Sequence, residues 1–372
     1  MKKYTFILIL LVTLVGLIPA SAQDQTLTVL CTPQEDWCVA MTQAFQAETG
    51  IETSYVRLSS GEALARIQAT ADNPEFSVWW GGPADAFIAA NEQSLFEAYE
   101  SPNAAVVDPQ YKGADGSWTG VYVGALGFCS NTELLDELGV EVPTSWQDLL
   151  NPALEGNVAM AHPATSGTAF TAFWTNVTLA ADALEWPDGK TAADGTAVEG
   201  TGEGYNEDGS PTQAAIDNAF EYFTALNQNI LQYTRSGSAP GRMAGGGEVA
   251  VAIIFSHDCV KLQQEGFADI LVNSFPEEGT GYEIGGMAIL AGAPEPDAAR
   301  MWYDWALTPE AQAIALTVNS LQIPTNPETP RSELTVDLAS VNVVEYNFQA
   351  AGENRTALVE RFDAEVAPTP QE

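Results

Sequence analysis

The chain alternates short β-prone runs with segments of helical periodicity along most of its length. Residues 27–30 form an apolar run, and apolar side chains at helical spacing follow as far as Gly50. A strand is expected next over 51–58 and a helix over 61–71. Strands that alternate with helices are typical of βαβ units, in which neighbouring strands run parallel. The pattern therefore predicts an α/β fold with a mainly parallel sheet.

The alternation continues through the rest of the chain. Further strands are expected over residues 76–80, 120–130, 157–161, 248–255, 269–275 and 282–290. Further helices are expected over residues 83–94, 168–179, 211–229, 296–307, 309–320 and 352–366. Residues 182–211 interrupt the pattern because they are rich in Gly, Asp and Glu. We expect a solvated acidic insertion there; its carboxylates could bind calcium, but residues 206–209 do not keep the ligand spacing of an EF-hand loop.

The first 22 residues have the three parts of an export signal. Lys2 and Lys3 supply a positive start, residues 6–18 are apolar, and residues 20–22 read Ala-Ser-Ala, a small-residue cleavage site. The apolar stretch of about 13 residues is too short to span a bilayer as a helix. We therefore expect cleavage near Ala22 and a soluble protein exported to the periplasm or the extracellular space.

The charge of the chain excludes two classes of partner. The formal net charge is −37 at pH 7, so the surface repels both nucleic acid and anionic lipid. A hydrophobic content of 46% indicates well-filled cores rather than disorder. Without its first 22 residues, the 372-residue chain keeps 350, enough for two domains of ordinary size.

Four cysteines in an exported chain are candidates for disulfide bonds. Cys31 and Cys38 lie close together in the sequence, which favours a local bond between them and leaves Cys129 for Cys259. Four cysteines nevertheless permit three connectivities. A metal site is disfavoured, because the chain has no Cys-x-x-Cys and only two histidines.

Turns of small and hydroxylated residues follow several of the predicted strands. In open α/β sheets, ligands bind beyond the carboxyl ends of the strands, where helix N-termini expose free N–H groups. Such turns occur at 59–62, 81–83, 163–168 and 236–240. One of them alone would be an ordinary cap or bend, but four together favour a shared site for an anion or for hydroxyl groups. The candidate ligand contacts in these turns are Ser60, Gly61, Gly81, Thr165, Ser166, Gly167, Thr168 and Ser236.

Histidine, carboxylate and aromatic side chains flank these turns. Both His162 and His257 end predicted strands, and Asp258 follows the second of them. A single histidine is more often structural, but histidine and aspartate also suit the donors and acceptors of sugar hydroxyls. Trp80, beside the 81–83 turn, could stack on an apolar sugar face.

Three arginines are candidates for contact with a bound anion. Arg57, Arg235 and Arg242 lie at or near the same turns. A planar guanidinium matches a phosphate or a carboxylate with two parallel hydrogen bonds. Of the three, Arg235 directly precedes a hydroxylated turn and is the predicted ligand contact.

Catalysis has little support in the sequence. The chain has no Gly-x-Ser-x-Gly elbow, no His-Glu-x-x-His, no P-loop and no dinucleotide fingerprint in a strand–turn–helix context. Its many carboxylates could still include an acid–base pair, because glycosidase pairs have no fixed spacing. We expect a protein that binds rather than an enzyme.

Eight short motifs occur in an order typical of one family. They are residues 31–38, 59–62, 79–82, 163–168, 234–240, 255–258, 275–283 and 351–358. Through these motifs, nearly all of the chain after residue 22 resembles type II periplasmic binding proteins of ABC importers, in the cluster of iron(III)-binding and hexose-phosphate-binding proteins.

The resemblance implies two α/β lobes that close like a Venus flytrap on a ligand in the cleft between them. Crossing strands are expected near 121–128 and 272–280. The expected segments are residues 23–124 and 275–372 for lobe one and residues 125–274 for lobe two. We also expect Glu278 to face the ligand, a monomer without a cofactor, and an ABC importer membrane permease as the partner.

Residues 256–258 bear on the nature of the ligand. The iron-binding members hold ferric ion with adjacent tyrosines at the corresponding position, whereas this chain has Ser-His-Asp there and no Tyr-Tyr pair anywhere. Ferric ion prefers phenolate and carboxylate oxygens. The stretch instead resembles the hexose-phosphate members, whose His-Asp pair contacts sugar hydroxyls. A hexose phosphate or a related organophosphate is therefore favoured, with ferric iron as the alternative.

Overall fold

The computed structural model describes residues 26–191 and 195–370, and within these ranges eleven strands form one continuous mixed sheet. The strands are β1 Thr26–Cys31, β2 Glu52–Arg57, β3 Val78–Pro83, β4 Phe96–Glu97, β5 Thr119–Asn131, β6 Val158–Ala161, β7 Ile230–Thr234, β8 Val251–Phe255, β9 Leu271–Ser274, β10 Tyr282–Leu290 and β11 Ile323–Pro324. The predicted export signal over 1–22, with its cleavage near Ala22, lies outside the described residues.

Eleven α-helices in the same ranges cover the faces of the sheet. They are α1 Glu35–Thr49, α2 Ser60–Ala69, α3 Ala84–Asn91, α4 Thr132–Leu138, α5 Gly167–Glu185, α6 Gln213–Leu226, α7 Ala239–Gly245, α8 Ser256–Leu262, α9 Pro296–Ala306, α10 Pro309–Thr317 and α11 Phe348–Glu365. Gly50 ends α1 in a left-handed conformation with φ of 76°, which a residue without a Cβ adopts at no steric cost. No helix among the described residues is long and apolar enough to cross a membrane.

The long central strand β5 divides the sheet into two halves. The strand order is β2-β1-β3-β10-β5-β8-β6-β7. Along β5 the partner changes between neighbouring residues, because Ala125 pairs with Tyr282 of β10 whereas Leu126 pairs with Phe255 of β8. The chain enters the second half through β5 and returns through residues 275–281, between β9 and β10. This is the two-lobed fold with two crossing connections that the sequence predicted.

The prediction of a mainly parallel sheet holds only for the outer strands. β1 is parallel to β2 and β3, and β6 is parallel to β7 and β8. β10 instead runs antiparallel to both β3 and β5, and β5 runs antiparallel to β8 and β9. The two connections run in opposite directions because one leaves the first lobe and the other returns to it.

Each lobe has its own core, and the last helix contacts both lobes. In lobe one, the rings of Trp79 and Phe87 stack with centroids 4.1 Å apart. In α11, Gly352 packs closely against Ile88 of α3, whereas Phe362 lies in the core that α5 and α6 form in lobe two. The predicted segment boundaries at 124/125 and 274/275 stay a proposal, since α11 belongs to both cores.

Both disulfide bonds join a strand to the helix beside it. Cys31 of β1 bonds Cys38 of α1, and Cys129 of β5 bonds Cys259 of α8, which confirms the favoured connectivity. All cysteines in the described ranges are paired. The second bond ties the start of α8 to the crossing strand.

The acidic segment 182–211 begins later than predicted, because α5 continues to Glu185. The Glu185 carboxylate then accepts the backbone N–H groups of Gly202 and Gly204, at 3.0 Å each. Among the described residues, no group of three or more His, Cys, Asp and Glu side chains could hold a metal ion, in this segment or elsewhere.

Candidate ligand-binding cleft

A cavity of about 60 Å³ lies where the two lobes meet. Its wall has two groups of residues, one of hydroxylated residues and glycines that contact one another and one of histidine, carboxyl and amide side chains. We call these the serine end and the carboxyl end. The residues at the serine end are Ser59, Ser60, Gly82, Ser166, Thr168, Ser236, Gly237 and Ser238, and those at the carboxyl end are Gln34, Tyr122, His257, Asp258, Glu283 and Gln322.

The serine end is built on the N-termini of two helices. Ser60 begins α2, and Ser166 directly precedes α5, whose first turn contains Thr168. The N–H groups in the first turn of a helix have no partner within the helix and attract anions. All three residues are at least nine-tenths buried, and their hydroxyl groups bond no other residue in the described part of the chain. The hydroxyls and the first N–H groups of α5 are therefore free to bind a ligand, whereas in α2 the Gly61 N–H already donates to Thr165 and Ser59 caps the helix.

Glycines let three separate segments converge at the serine end. A Cβ atom on Gly237 would lie 2.1 Å from the Thr168 hydroxyl oxygen and 2.9 Å from that of Ser166. One on Gly82, whose φ is +99°, would lie 3.2 Å from the Ser60 hydroxyl oxygen. Real Cβ atoms almost never come within 2.1 Å of another heavy atom. The 236–238 loop can therefore contact the start of α5 only because residue 237 has no side chain.

The carboxyl end gathers titratable groups from α8 and β10. His257 Nε2 lies 3.9 Å from the Glu283 carboxylate and 4.0 Å from that of Asp258. The His257 ring stacks on Phe255, with ring centroids 5.5 Å apart. Gly124 of β5 makes room for it, since a Cβ atom there would lie 2.7 Å from His257 Nδ1.

Burial shifts the pKa values of His257, Asp258 and Glu283 at the carboxyl end. Burial, with a smaller contribution from the Lys261 charge, lowers the pKa of His257 to about 3. Burial raises the pKa of Asp258 to about 6, although a hydrogen bond from Gln34 opposes the change. Burial and the nearby Asp258 carboxylate raise the pKa of Glu283 well above its usual range. At neutral pH this end therefore has an uncharged imidazole, a carboxylate on Asp258 and a Glu283 carboxyl group shifted toward its protonated form, which together offer both donors and acceptors.

Several buried polar atoms at the carboxyl end have no partner among the described residues. They are Nδ1 of His257, Oε1 of Gln34 and Oε1 of Gln322. Gln34 uses its amide nitrogen to donate to Asp258. An unpaired buried polar atom typically costs about 1–3 kcal/mol, so their concentration in one cavity indicates groups that bind a polar molecule.

Arginine side chains occupy different positions from those the sequence suggested. Arg57 is the only Lys or Arg on the cavity wall among the described residues, and its Nε donates to the Pro33 carbonyl oxygen at 2.9 Å. Arg235 points away from the wall and pairs with Glu62. Hydrogen bonds from Ser59 and Arg235 overcome the effect of burial, so the pKa of Glu62 is below its usual value.

The structure brings six of the predicted ligand contacts together on the cavity wall. They are Ser60, Ser166, Thr168, Ser236, His257 and Asp258. Three others lie directly behind the wall. Gly61 donates its N–H to the Thr165 carbonyl oxygen at 2.9 Å, and Gly167 packs against Pro83 and Ser60.

Three further predicted contacts lie off the wall. Trp80 belongs to the core of lobe one, because β3 is buried on both faces. Gly81 packs against Pro33 behind the cavity. Glu278 instead accepts the Ser145 hydroxyl at 2.9 Å and the Trp146 N–H at 2.7 Å, and so caps a turn in lobe two.

Four wall residues at the carboxyl end were not predicted as ligand contacts: Gln34, Tyr122, Glu283 and Gln322. For Glu283 a signal existed, since it is the only charged residue in the apolar strand β10. His162, by contrast, is structural. Its Nε2 donates to the Ala367 carbonyl oxygen at 2.8 Å, and its Nδ1 accepts the Ala164 N–H.

Comparisons with known proteins agree with this architecture. The periplasmic binding protein AfuA from Actinobacillus pleuropneumoniae, solved with exogenous fructose-6-phosphate bound, is 34% identical with a TM-score of 0.80, over 92% of this chain and 98% of that one. The periplasmic binding protein P5PA is 28% identical with a TM-score of 0.78, over 92% and 99%. Iron-bound HitA from Pseudomonas aeruginosa shares the fold. It is 19% identical with a TM-score of 0.68, over 91% of this chain and 99% of that one. Residues 40–340 match the family profile described as bacterial extracellular solute-binding protein, and the chain belongs to that family.

Proposed function

We propose that this protein captures a sugar phosphate, most simply a hexose phosphate, and delivers it to the membrane permease of an ABC importer. The observation that carries the proposal is the division of one cavity into two chemically different ends. The serine end suits a phosphate group, and the carboxyl end suits the hydroxyls of a sugar.

The serine end has the features of a phosphate site. The Ser60, Ser166 and Thr168 hydroxyls are unpaired within the described residues, and α5 begins at the same space without a side-chain cap on its first N–H groups. Arg57 adds one positive charge to the wall, and this charge acts on Asp258 at the carboxyl end. Few full charges are needed, because hydroxyl and N–H donors stabilise an anion by direct hydrogen bonds.

The carboxyl end suits a neutral molecule with many hydroxyl groups. Each hydroxyl both donates and accepts, and the neutral His257, the protonated Glu283 and the Gln34 and Gln322 amides offer both functions. A second anionic group here would meet Asp258, whose carboxyl group is half ionised near pH 6. A ligand with an anion at one end and hydroxyls at the other fits both requirements, as does the fructose-6-phosphate bound to AfuA.

The chemistry of the wall favours a sugar phosphate over ferric iron. Ferric ion prefers phenolate and carboxylate oxygens, and Tyr122 is the only tyrosine on the wall within the described residues. Its hydroxyl accepts the Gly82 N–H at 3.0 Å, and burial raises its pKa well above the usual range, so it holds its proton. The likeness to HitA, at 19% identity, concerns the fold alone.

Isothermal titration calorimetry with the chain lacking residues 1–22 tests the proposal. The panel is fructose 6-phosphate, glucose 6-phosphate, inorganic phosphate, fructose and ferric citrate. We expect the esters to bind at least tenfold more tightly than phosphate or fructose, because either fragment leaves one end of the cavity unpaired. Inorganic phosphate bound as tightly as the esters, or tight ferric binding, would contradict the proposal. Steady consumption of an ester would instead indicate an enzyme.

Two substitutions test which part of the ligand binds at each end of the cavity. Ser166→Ala should weaken binding of both phosphate and the esters, whereas Glu283→Ala should weaken only the esters, each by about tenfold. Glu278→Ala is the control for the second variant, because Glu278 lies off the wall and should leave all affinities unchanged. Equal effects of the Glu283 and Glu278 variants would argue against the assignment of the carboxyl end.

A further inference from the structure

Two ion pairs join the lobes on either side of the cavity. Beside the serine end, Glu62 of α2 pairs with Arg235 in the loop after β7. Beside the carboxyl end, Asp36 of α1 pairs with Lys261 of α8. In each pair one residue belongs to the first lobe and the other to the second. We call them the serine-end clasp and the carboxyl-end clasp.

The serine-end clasp holds two walls of the cavity at once. One Glu62 oxygen accepts Arg235 Nε at 2.8 Å and a second Arg235 nitrogen. The other accepts the Ser59 N–H at 3.2 Å and the Ser59 hydroxyl at 2.7 Å, which caps α2. Beside it, the Gly61 N–H donates across the lobes to the Thr165 carbonyl oxygen at 2.9 Å. A single carboxylate thus fixes the start of α2 against the loop that carries Ser236.

The carboxyl-end clasp lies one helical turn behind Asp258. Lys261 Nζ donates to Asp36 and, at 3.0 Å, to the Val318 carbonyl oxygen, so both of its partners belong to lobe one. The Lys261 side chain is only 9% exposed. Gln34, one residue before α1, makes a parallel link to Asp258 itself.

Neither clasp contributes a charge to the cavity wall. Glu62, Arg235, Asp36 and Lys261 all stand behind residues that line the cavity. Their pairing requires the two lobes to be in contact, so the clasps add to the stability of the closed form and not to that of an open one. Contacts that exist only after closure change the rate at which a ligand leaves more than the rate at which it arrives.

We propose that these two ion pairs are clasps that hold the lobes closed and set how long a ligand is retained, while other residues recognise it. The inference rests on the proposed function in requiring that the lobes open to admit a solute. It also gives Arg235 a different role from the anion contact that its sequence position suggested.

The first test measures closure directly. Cysteines are introduced at two exposed positions, Glu52 in lobe one and Glu221 in lobe two, and each carries a spin label. Pulsed electron paramagnetic resonance then measures the distance between the lobes. We expect Arg235→Leu and Lys261→Met each to raise the ratio of open to closed molecules about three- to tenfold. Arg66→Met is the control, since Arg66 pairs with Glu75 inside lobe one and should leave the ratio unchanged.

The second test measures retention of fructose 6-phosphate by stopped flow. Each of the two clasp variants should release fructose 6-phosphate about three- to tenfold faster, with the association rate changed less than twofold. In the double variant, the increase in release rate should be the product of the two single increases. A variant that merely misfolds would lose its thermal transition.

The outcomes separate the two proposals. If wild-type protein fails to bind fructose 6-phosphate, the ligand assignment is refuted, but the distance measurement on ligand-free protein still tests the clasps. If the ester binds and the distances and release rates of both clasp variants match those of wild type, the clasps are refuted and the ligand assignment stands.

Discussion

Replacing Asp258 by asparagine should stabilise the ligand-free protein at pH 8 and leave its stability at pH 4 nearly unchanged. Burial raises the pKa of this carboxyl group from its ordinary value of 3.8 to about 6. Above pH 6 the folded protein therefore carries a buried carboxylate that the unfolded chain exposes to water. Below about pH 4 the group is protonated in both states, and the penalty disappears.

The magnitude follows from linkage between protonation and folding. A folded pKa above the unfolded one means that the folded state binds more protons between the two values, so stability falls as pH rises through that window. At 1.36 kcal/mol per pKa unit, the change from 3.8 to about 6 corresponds to roughly 3 kcal/mol. The Asp258 charge also helps to raise the pKa of Glu283, so its removal acts in the same direction there.

Urea unfolding at pH values from 4 to 8 measures the effect. The free energy of unfolding of the Asp258→Asn variant should exceed that of wild type by a margin that grows between pH 4 and 6 and is then constant. Asp136→Asn removes the same charge from an exposed position and should show no such margin. Parallel pH profiles for wild type and Asp258→Asn would refute the reasoning. In calorimetry, the same variant should bind fructose 6-phosphate about tenfold more weakly.

Three further predictions concern other parts of the molecule. Gly237→Ala should weaken binding of fructose 6-phosphate in calorimetry by at least tenfold, because its Cβ would displace a hydroxyl at the serine end. Arg355→Leu leaves Asp85 buried without its partner and should lower the free energy of unfolding by about 3–5 kcal/mol in urea titrations, whereas Arg355→Leu with Asp85→Leu should recover much of the loss. Serine at both Cys129 and Cys259 removes a crosslink across a separation of 130 residues, which should cost about 5 kcal/mol in the same measurement if chain entropy dominates.

Local pattern predicted the elements whose length and periodicity were strong. It missed α4 and α7, which have seven residues each, and β7, which alternates poorly because several of its side chains are exposed. Pairing direction is not encoded locally: the apolar run of β10 reads like a parallel strand, but it is antiparallel because it returns from the other lobe. The acidic insertion begins later than predicted because α5 continues past its apolar stripe, as far as Glu185.

The serine end could be predicted because its residues follow one rule, that ligands bind where strands end and helices begin. The carboxyl end depends on topology. Tyr122 comes from inside the crossing strand β5, Glu283 is the second residue of β10, and Gln322 comes from a loop with no motif. Arg235 was assigned to the ligand because its partner, Glu62, is 173 residues away in the sequence and is brought near only by the contact between the lobes.

The unpaired atoms at the carboxyl end explain why closure should depend on the ligand. Three buried polar atoms at this end have no protein partner in the described structure, so a hydrogen bond from a sugar to each of them adds to the stability of the closed form. The serine-end clasp involves partly exposed side chains, and such pairs contribute about 0–1 kcal/mol. A sugar that bonds these atoms therefore shifts the equilibrium toward the closed form by more than this clasp does.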